Sequence, residues 1–130
     1  MSLLDSSGWI EYFAEGPNAE RFAPVVDDTS SLLVPTIVLH EVYRWADREG
    51  GESAASRSMA TMQTGIVIDL DSDLAIASAR AARNHRLPTA DSIVYASAQS
   101  RGAIVWTQDE DFRDLPGVRY FPKVKVKRGA

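Results

Sequence analysis

The sequence predicts an α/β fold in which helices cover both faces of a mainly parallel β-sheet. Short apolar segments of strand length alternate along the chain with longer segments that have helical periodicity. The clearest strand, at residues 103–107, is apolar up to its final threonine, as expected for a strand buried on both faces. The chain has 130 residues, of which 45% are hydrophobic and 25% charged, and this fits one globular domain. Right-handed β–α–β crossovers are therefore expected.

Capping and turn residues divide the amino-terminal half into elements. Ser6 or Ser7 follows the first apolar run and can cap a helix, and Thr36 can cap the long helix after the second run. Gly50-Gly51 are expected to stop that long helix. The predicted elements are a strand at 3–5, a helix through 9–13, a helix at 19–26, a strand at 31–34, a helix from 36 to 49 and a helix at 53–63.

The carboxyl-terminal half continues the same alternation. Asp71 or Ser72 can cap a helix, Pro88 interrupts the chain after it, and Gly102 ends the helix that follows. The predicted elements are a strand at 65–68, a helix at 74–85, a helix from 89 or 90 to 100, a strand at 103–107, a loop or single turn at 109–114 and an edge strand at 119–121.

Four acidic residues occupy positions at which a parallel sheet brings side chains together. Asp5 ends a predicted strand, Asp109 follows one, Asp91 opens a helix, and Glu41 lies at the edge of the apolar face of the long helix. In open α/β sheets such positions meet in one crevice at the carboxyl ends of the strands. Clustered carboxylates repel one another unless a cation neutralises them. The pattern therefore predicts a divalent-metal site.

Each acid also has an ordinary structural explanation. Asp5 and Asp91 could serve as helix caps. Glu41 could pair with Arg44 one turn further along the helix, and Asp109 could belong to a solvated acidic turn. The joint occurrence of all four at such positions favours the metal site over these separate explanations.

Other features of the sequence do not indicate a second functional site. The acidic segment 69–73 lacks the glycine and glutamate of a calcium-binding loop and is better explained as a helix N-terminus. His40 and His85 share no metal-ligand spacing and are expected on solvated helix faces. The absence of cysteine excludes disulfides and thiol catalysis and fits the cytoplasmic location that we expect. No apolar stretch is long enough to cross a bilayer, so no membrane partner is expected.

Charge is distributed unevenly along the chain. Residues 1–118 hold all 18 acidic residues and nine of the 14 basic ones, a net charge of −9, whereas the whole chain carries −4. All three lysines (Lys123, Lys125 and Lys127) lie in the carboxyl-terminal segment. They either protect an edge strand from aggregation or form an arm that contacts phosphate groups.

Four segments around the acids carry a family resemblance. They are Leu4-Asp5-Ser6-Ser7, Glu41 in the helix after the second strand, Leu87-Pro88-Thr89-Ala90-Asp91-Ser92 and Thr107-Gln108-Asp109-Glu110-Asp111-Phe112. In this order and spacing, over about residues 1–121, the chain resembles the PIN-domain nucleases. It is most similar to the VapC-type toxins of bacterial and archaeal toxin–antitoxin pairs.

The resemblance implies a three-layer α/β/α sandwich, with a PIN-like nuclease domain at residues 1–121 and a basic tail at 122–130. It implies a Mg²⁺- or Mn²⁺-dependent endoribonuclease whose catalytic acids are Asp5, Glu41, Asp91 and Asp109. Family members commonly form homodimers and are inhibited by a cognate VapB-type antitoxin. RNA, an antitoxin and a second copy of the chain are therefore the expected partners.

Several assignments within this site stay open. We expect Asp5 and Asp91 to be the most direct metal ligands, while Glu41 and Asp109 hold water or a second ion. Asp111 could take or share the role of Asp109. The alternative function is a non-catalytic PIN-like interaction module, which the intact acids disfavour. A different α/β phosphohydrolase is a third possibility, but it usually needs a second aspartate two residues after the first, where this chain has Ser7.

Overall fold

Five parallel strands form the central sheet of the computed structural model, which describes residues 1–125. The strands are β1 (Ser2–Leu4), β2 (Leu32–Pro35), β3 (Ile66–Ile68), β4 (Ile104–Thr107) and β5 (Val118–Tyr120). Their order in the sheet is β3-β2-β1-β4-β5, so the first strand of the chain lies in the middle. Leu3 of β1 pairs with Leu33 of β2 on one side and with Val105 of β4 on the other.

Helices complete the predicted α/β architecture. They are α1 (Ser6–Phe13), α2 (Ala19–Asp27), α3 (Thr36–Met62), α4 (Ser72–His85) and α5 (Thr89–Ser100). Helix α1 contacts α2 and α3, and α4 packs extensively against α5. Single 3₁₀ turns cover Thr29–Ser31 and Glu110–Phe112. All four residues of β2 are buried, which shows that this strand is covered on both faces.

One hydrophobic core joins the sheet to the helices. Its largest fully buried side chains are Trp9 of α1, Phe22 of α2, Tyr95 of α5 and Phe112 of the second 3₁₀ turn. Burying side chains of this size contributes about 1.5–3 kcal/mol each relative to leaving them exposed. The core therefore fixes α1, α5 and the acidic turn against the same sheet, and these are elements that carry site residues.

The structure decides between the predicted helix caps. Asp5 caps helix α1, which confirms the cap role considered for it: its carboxylate accepts a hydrogen bond from the Gly8 N–H at 3.0 Å. The alternative cap at Ser6 or Ser7 is wrong, because an aspartate accepts such bonds as well as a serine does. The predicted Thr36 cap is also wrong, since α3 begins after Pro35 and has no side-chain hydrogen bond at its start.

The predicted stop at Gly50-Gly51 is confirmed. The segment from Thr36 to Met62, labelled α3, consists of two helices that meet at a kink, where Gly51 leaves the helical region with φ 81° and ψ −179°. Glycine adopts such a positive φ without the steric cost that a Cβ would bring, so it can interrupt the helix. Ala55, Ser58 and Met62 of the second helix are buried.

Other predictions at helix ends are resolved one by one. Asp71 caps α4 and accepts a hydrogen bond from the Leu74 N–H at 2.8 Å, which confirms that the acidic segment opens a helix. His40 is exposed as predicted. His85 was predicted on a solvated face but is half-buried, and its ring packs edge-on against Tyr95, with the ring centres 5.1 Å apart.

Within residues 1–125, no helix combines the length and the apolar character needed to span a membrane.

Candidate active site

The predicted acids come from the ends of three neighbouring strands and the start of one helix. Asp5 directly follows β1, Asp109 lies two residues after β4, and Glu41 lies in the second turn of the helix that follows β2. Asp91 lies in the first turn of α5. Because β1, β2 and β4 are parallel and adjacent, their carboxyl ends bring these residues to one edge of the sheet.

Three carboxylates form the centre of the cluster. One oxygen from each of Asp91, Asp109 and Asp111 lies within 4.8 Å of the other two. Asp91 and Asp109 are half-buried, whereas Asp111 is exposed. The structure therefore brings Asp111 into the same cluster as Asp109, while Asp5 and Glu41 lie around it.

Asp5 is held in a fixed orientation beneath this cluster. Only 3% of its surface is exposed, and its carboxylate accepts hydrogen bonds from Ser7 Oγ at 2.7 Å, Thr107 Oγ1 at 2.6 Å and the Gly8 N–H at 3.0 Å. Burial raises the pKa of Asp5 to about 6, although these three hydrogen bonds favour its charged form. The nearby charge of Asp109 raises this pKa further.

Thr107 connects Asp5 to the acidic turn. Its hydroxyl donates to Asp5 Oδ2 and accepts a hydrogen bond from the Asp109 N–H at 2.9 Å. Asp109 Oδ1 in turn accepts from the Asp111 N–H at 2.9 Å and caps the 3₁₀ turn. Backbone and side-chain hydrogen bonds thus fix the positions of two of the clustered acids relative to Asp5.

Asp91 has the most strongly shifted pKa of the site. Burial is the largest cause, followed by a hydrogen bond shared with Asp111 and by the negative charges of Asp109, Asp111 and Asp5, which together raise the pKa of Asp91 to about 8. Without a cation, this carboxyl group therefore holds a proton near neutral pH. A divalent cation would stabilise the charged form and displace that proton.

Glu41 lies at the edge of the same cluster. Burial raises the pKa of its carboxyl group, interactions with Ser6 and His40 oppose that shift, and the charge of Asp109 adds to it. The salt bridges among residues 1–125 join Arg48 to Glu49 and Arg113 to Asp114. The alternative that Glu41 pairs with Arg44 is therefore wrong.

The donor atoms of this site suit a hard divalent cation. The clustered side chains offer only carboxylate oxygens, which Mg²⁺ and Mn²⁺ prefer over nitrogen or sulfur. Asp109 is the member whose charge acts on Asp5, Glu41 and Asp91 alike. A cation beside Asp109 would relieve repulsion throughout the cluster, so the residues fit the metal that the sequence predicts.

Sequence reasoning missed the polar side chains that support these acids. Ser7 Oγ accepts a hydrogen bond from the Gln108 N–H at 3.2 Å, in addition to donating to Asp5. Asn18 is 3% exposed and donates from Nδ2 to Gln108 Oε1 and to the Pro122 carbonyl, both at 3.0 Å. Ser7 was marked in the sequence only as a possible helix cap and by its place two residues after Asp5, and the sequence carries no signal that singles out Asn18.

Several solved structures share this fold. A toxin–antitoxin complex from Klebsiella pneumoniae contains a chain that matches 95% of this chain and 100% of its own length, with 22% identity and a TM-score of 0.82. The VapC20 toxin of Mycobacterium tuberculosis, described as sarcin-ricin loop cleaving, has 20% identity and a TM-score of 0.72, covering 86% of this chain and 92% of its own. DNA-bound VapBC from Salmonella typhimurium has 24% identity and a TM-score of 0.67, covering 94% and 98%.

Sequence comparison identifies the family. The chain has no significant match among curated proteins. The family model described as the PIN domain matches residues 2–118, which include every acid of the cluster. These neighbours share the parallel sheet and its helices, as the predicted α/β sandwich requires. The chain belongs to the PIN-domain family.

Proposed function

We propose that this PIN-domain protein is a Mg²⁺- or Mn²⁺-dependent endoribonuclease that acts as the toxin of a toxin–antitoxin pair. The observation that carries the proposal is the close approach of Asp91, Asp109 and Asp111 above the buried Asp5. Carboxylates this close together repel one another, and a cation bound between them would relieve that repulsion. A module without catalytic or metal-binding activity would gain nothing from acids that repel one another in this way.

Each acid has a proposed role. Asp91 and Asp109, with Asp111 at the exposed side, would hold the cation, and the buried Asp5 would complete its oxygen surroundings. When bound, the cation would activate water and stabilise negative charge on the scissile phosphate. Glu41 stands at the edge with a raised pKa, so it is suited to orient the attacking water and accept its proton.

Asp109 is the preferred fourth catalytic acid. Its backbone N–H is bonded to Thr107 and its charge acts on the three other acids, whereas Asp111 is exposed. A fixed carboxylate loses less conformational freedom when it binds a ligand. Asp111 would contribute to the metal site without being the main ligand.

The proposed partners come from solved complexes that contain a chain of the same fold. Solved neighbours include a toxin–antitoxin complex and VapBC complexes, which supports a VapB-type antitoxin as the inhibitor of this chain. A neighbour described as a loop-cleaving toxin supports the proposed activity on RNA. We further propose a homodimer in the cytoplasm, with residues 1–121 as the nuclease domain.

A growth and cleavage experiment tests the function. The chain and its Asp5→Asn and Asp91→Asn variants are expressed separately, and growth arrest is scored in cells. Cleavage of total RNA by each purified protein is then measured with Mg²⁺ and with EDTA. We expect arrest and Mg²⁺-dependent cleavage for the parent chain and neither for the variants. Asp73→Asn removes an exposed acid outside the cluster and should behave as the parent does.

The result can also exclude the proposal. If folded parent and Asp91→Asn proteins arrest growth equally, or neither cleaves RNA with either ion, the nuclease assignment is wrong. The non-catalytic interaction module would then be the better explanation. Circular dichroism of each purified protein separates loss of activity from loss of folding.

A further inference from the structure

A cavity beside the acidic cluster has walls of opposite charge. Its volume is about 610 Å³, and one wall is the acidic turn from Asp109 to Asp111. The other wall is the chain that follows β5, with Lys123 and Lys125 as its basic residues, and Tyr120 also lines the cavity. A ligand in this cavity would therefore contact the acidic cluster on one side and lysine ammonium groups on the other.

The lysine wall is anchored by a buried side chain. Asn18 donates from the same amide nitrogen to the Pro122 carbonyl and to Gln108 Oε1, both at 3.0 Å. The Phe121 N–H donates to the Thr107 carbonyl at 2.9 Å, one residue before Gln108. The chain is thus bonded to the end of β4 immediately before the first lysine.

Aromatic packing fixes the same anchor point. The Phe121 ring stacks on Trp106 at 5.9 Å and meets the edge of Phe22 at 5.7 Å, while the Arg21 guanidinium lies 5.2 Å from its centre. Aromatic contacts of this kind contribute about 0.5–1.5 kcal/mol each beyond the area that they bury. The segment therefore leaves the sheet in a defined direction, along the cavity.

The charges of this wall match a nucleic-acid backbone. Lys123 and Lys125 are exposed, and neither forms a salt bridge with a carboxylate of the described residues. An ammonium group binds phosphate as a point charge, which suits a flexible backbone without sequence preference. Residues 1–118 carry a net charge of −9, so RNA needs local positive charge to approach the acids.

We propose that Lys123 and Lys125 bind the RNA phosphates that flank the scissile bond, and that Asn18 is the positioning residue that holds them beside the acidic cluster. The proposal rests on the endoribonuclease function proposed above. It extends that function by naming the part of the chain that holds the substrate backbone. Lys127 lies outside the described residues and is not needed for it.

Salt dependence of RNA binding tests the proposal. The probe is a short fluorescein-labelled oligouridylate, and its affinity is measured by anisotropy in Ca²⁺, in place of Mg²⁺ or Mn²⁺, over a range of KCl concentrations. Each phosphate contact to a single strand contributes about 0.7 to the slope of log affinity against log salt concentration. We expect Lys123→Gln and Lys125→Gln each to lower that slope by up to about 0.7, and the double variant by up to about 1.4.

Three controls sharpen the experiment. Lys123→Arg keeps the charge and should keep the slope. Arg101→Gln removes one charge about 15 Å along α5 from Asp91, at 1.5 Å per residue, and should leave the slope unchanged. Asn18→Ala removes no charge, but it should lower the slope in a folded protein, because the lysines would no longer be held beside the acidic cluster. In cleavage assays the lysine variants should raise KM several-fold and leave kcat nearly unchanged.

Two outcomes would overturn the proposal, and they are distinguishable from failure of the nuclease function. If the parent chain cleaves RNA and the lysine variants keep its salt slope, the lysines do not contact the substrate. If the variants instead cleave faster than the parent, the lysines neutralise the acids and obstruct the site. A parent chain that neither binds nor cleaves RNA would reject both this proposal and the function on which it rests.

Discussion

Thr107 joins two strand ends of the site through one hydroxyl group. That hydroxyl donates to Asp5 and accepts from the Asp109 N–H, and it is fully buried. Thr107→Val keeps the shape of the side chain but removes the hydrogen bond to Asp5 Oδ2 and the one from the Asp109 N–H. We expect a loss of about 1–3 kcal/mol in the free energy of unfolding. Cleavage should fall by about 10–100-fold, as is usual when a residue that orients metal ligands is replaced.

Urea unfolding and single-turnover cleavage measure these two effects. Thr29→Val changes an exposed threonine in the first 3₁₀ turn and serves as the matched control. A Thr107→Val protein with parental stability and parental cleavage would show that the hydroxyl does not organise the acids.

Asp91 makes the stability of the metal-free protein depend on pH. The pKa values of Asp91 and Asp5 are raised in the folded state, to about 8 and about 6, so the folded protein binds protons more tightly than the unfolded chain does. This contribution to stability is complete below about pH 4 and is lost as the pH rises towards 8. Because Asp91 is only half-buried, we expect a loss on the order of 1–2 kcal/mol.

Unfolding in EDTA at several pH values between 5 and 8 measures this dependence. Asp91→Asn has no carboxylate to charge, so its stability should fall less over the same range and exceed that of the parent at pH 8. It should nevertheless be inactive, which separates stability from activity in one variant. A parent protein that becomes more stable from pH 5 to 8 would contradict the expected repulsion.

The acids were predictable from sequence because their chemistry and their places at element ends coincide. The supporting hydrogen bonds were not, since they depend on contacts across about 100 residues. Ser7 and Gln108 are one such pair, and Asn18 and Pro122 are another. Nothing in the local sequence of an asparagine after Gly-Pro distinguishes a turn residue from a buried anchor. Sequence also left Asp109 and Asp111 as alternatives, and the structure places both in the cluster.

At the scale of elements, α3 contains one strained position. Gly51 has φ 81° and ψ −179°, a conformation that is essentially restricted to glycine. Gly51→Ala is expected to destabilise the fold by about 1–3 kcal/mol, although a Cβ there would meet no neighbouring atom. The cause would be backbone strain alone. Cleavage per folded molecule should be unchanged, because the kink lies outside the acidic cluster.

Thermal or urea unfolding measures the Gly51 effect. Ser56→Ala, an exposed change in the second half of the same helix, should alter stability by no more than about 0.5 kcal/mol. A Gly51→Ala protein as stable as the parent would mean that α3 straightens at little cost.

Element boundaries largely follow the local turn and capping residues. The order of helices and strands was predicted throughout, since apolar runs and turn residues mark it. The break at Gly51 within α3 was predicted as well, because glycine readily adopts the positive φ found there. At the start of α1 the sequence offered serine and aspartate caps as alternatives, and in the structure Asp5 is the cap as well as part of the site.

At the scale of the whole molecule, metal binding and folding should be coupled. A ligand present at 100 times its Kd stabilises the folded state by about 2.7 kcal/mol if it does not bind the unfolded chain. For a chain of this length we expect Mg²⁺ or Mn²⁺ at such a concentration to raise the Tm by about 5–12 °C. Asp91→Asn should show a much smaller shift, and KCl at matched ionic strength should not reproduce it.

Differential scanning fluorimetry over millimolar concentrations of each ion provides the measurement. A Tm that is the same with and without either ion would argue against the metal site, whatever the cleavage results.

The strand order is the global feature that sequence left undetermined. A parallel sheet was predictable from the alternation of elements, but local patterns do not reveal which strand lies in the middle.

The central position of β1 has a consequence for synthesis of the chain on the ribosome. Asp5 is made before its partner Thr107, which follows 102 residues later. At about 5–20 residues per second, roughly 5–20 s separate the two. Until β4 is made, β1 lacks one neighbour and Asp5 lacks the acids of the later segments. The acidic cluster is therefore incomplete on a growing chain until β4 and the acidic turn have joined the fold, so the proposed ribonuclease would be unable to cut the RNA around it before then.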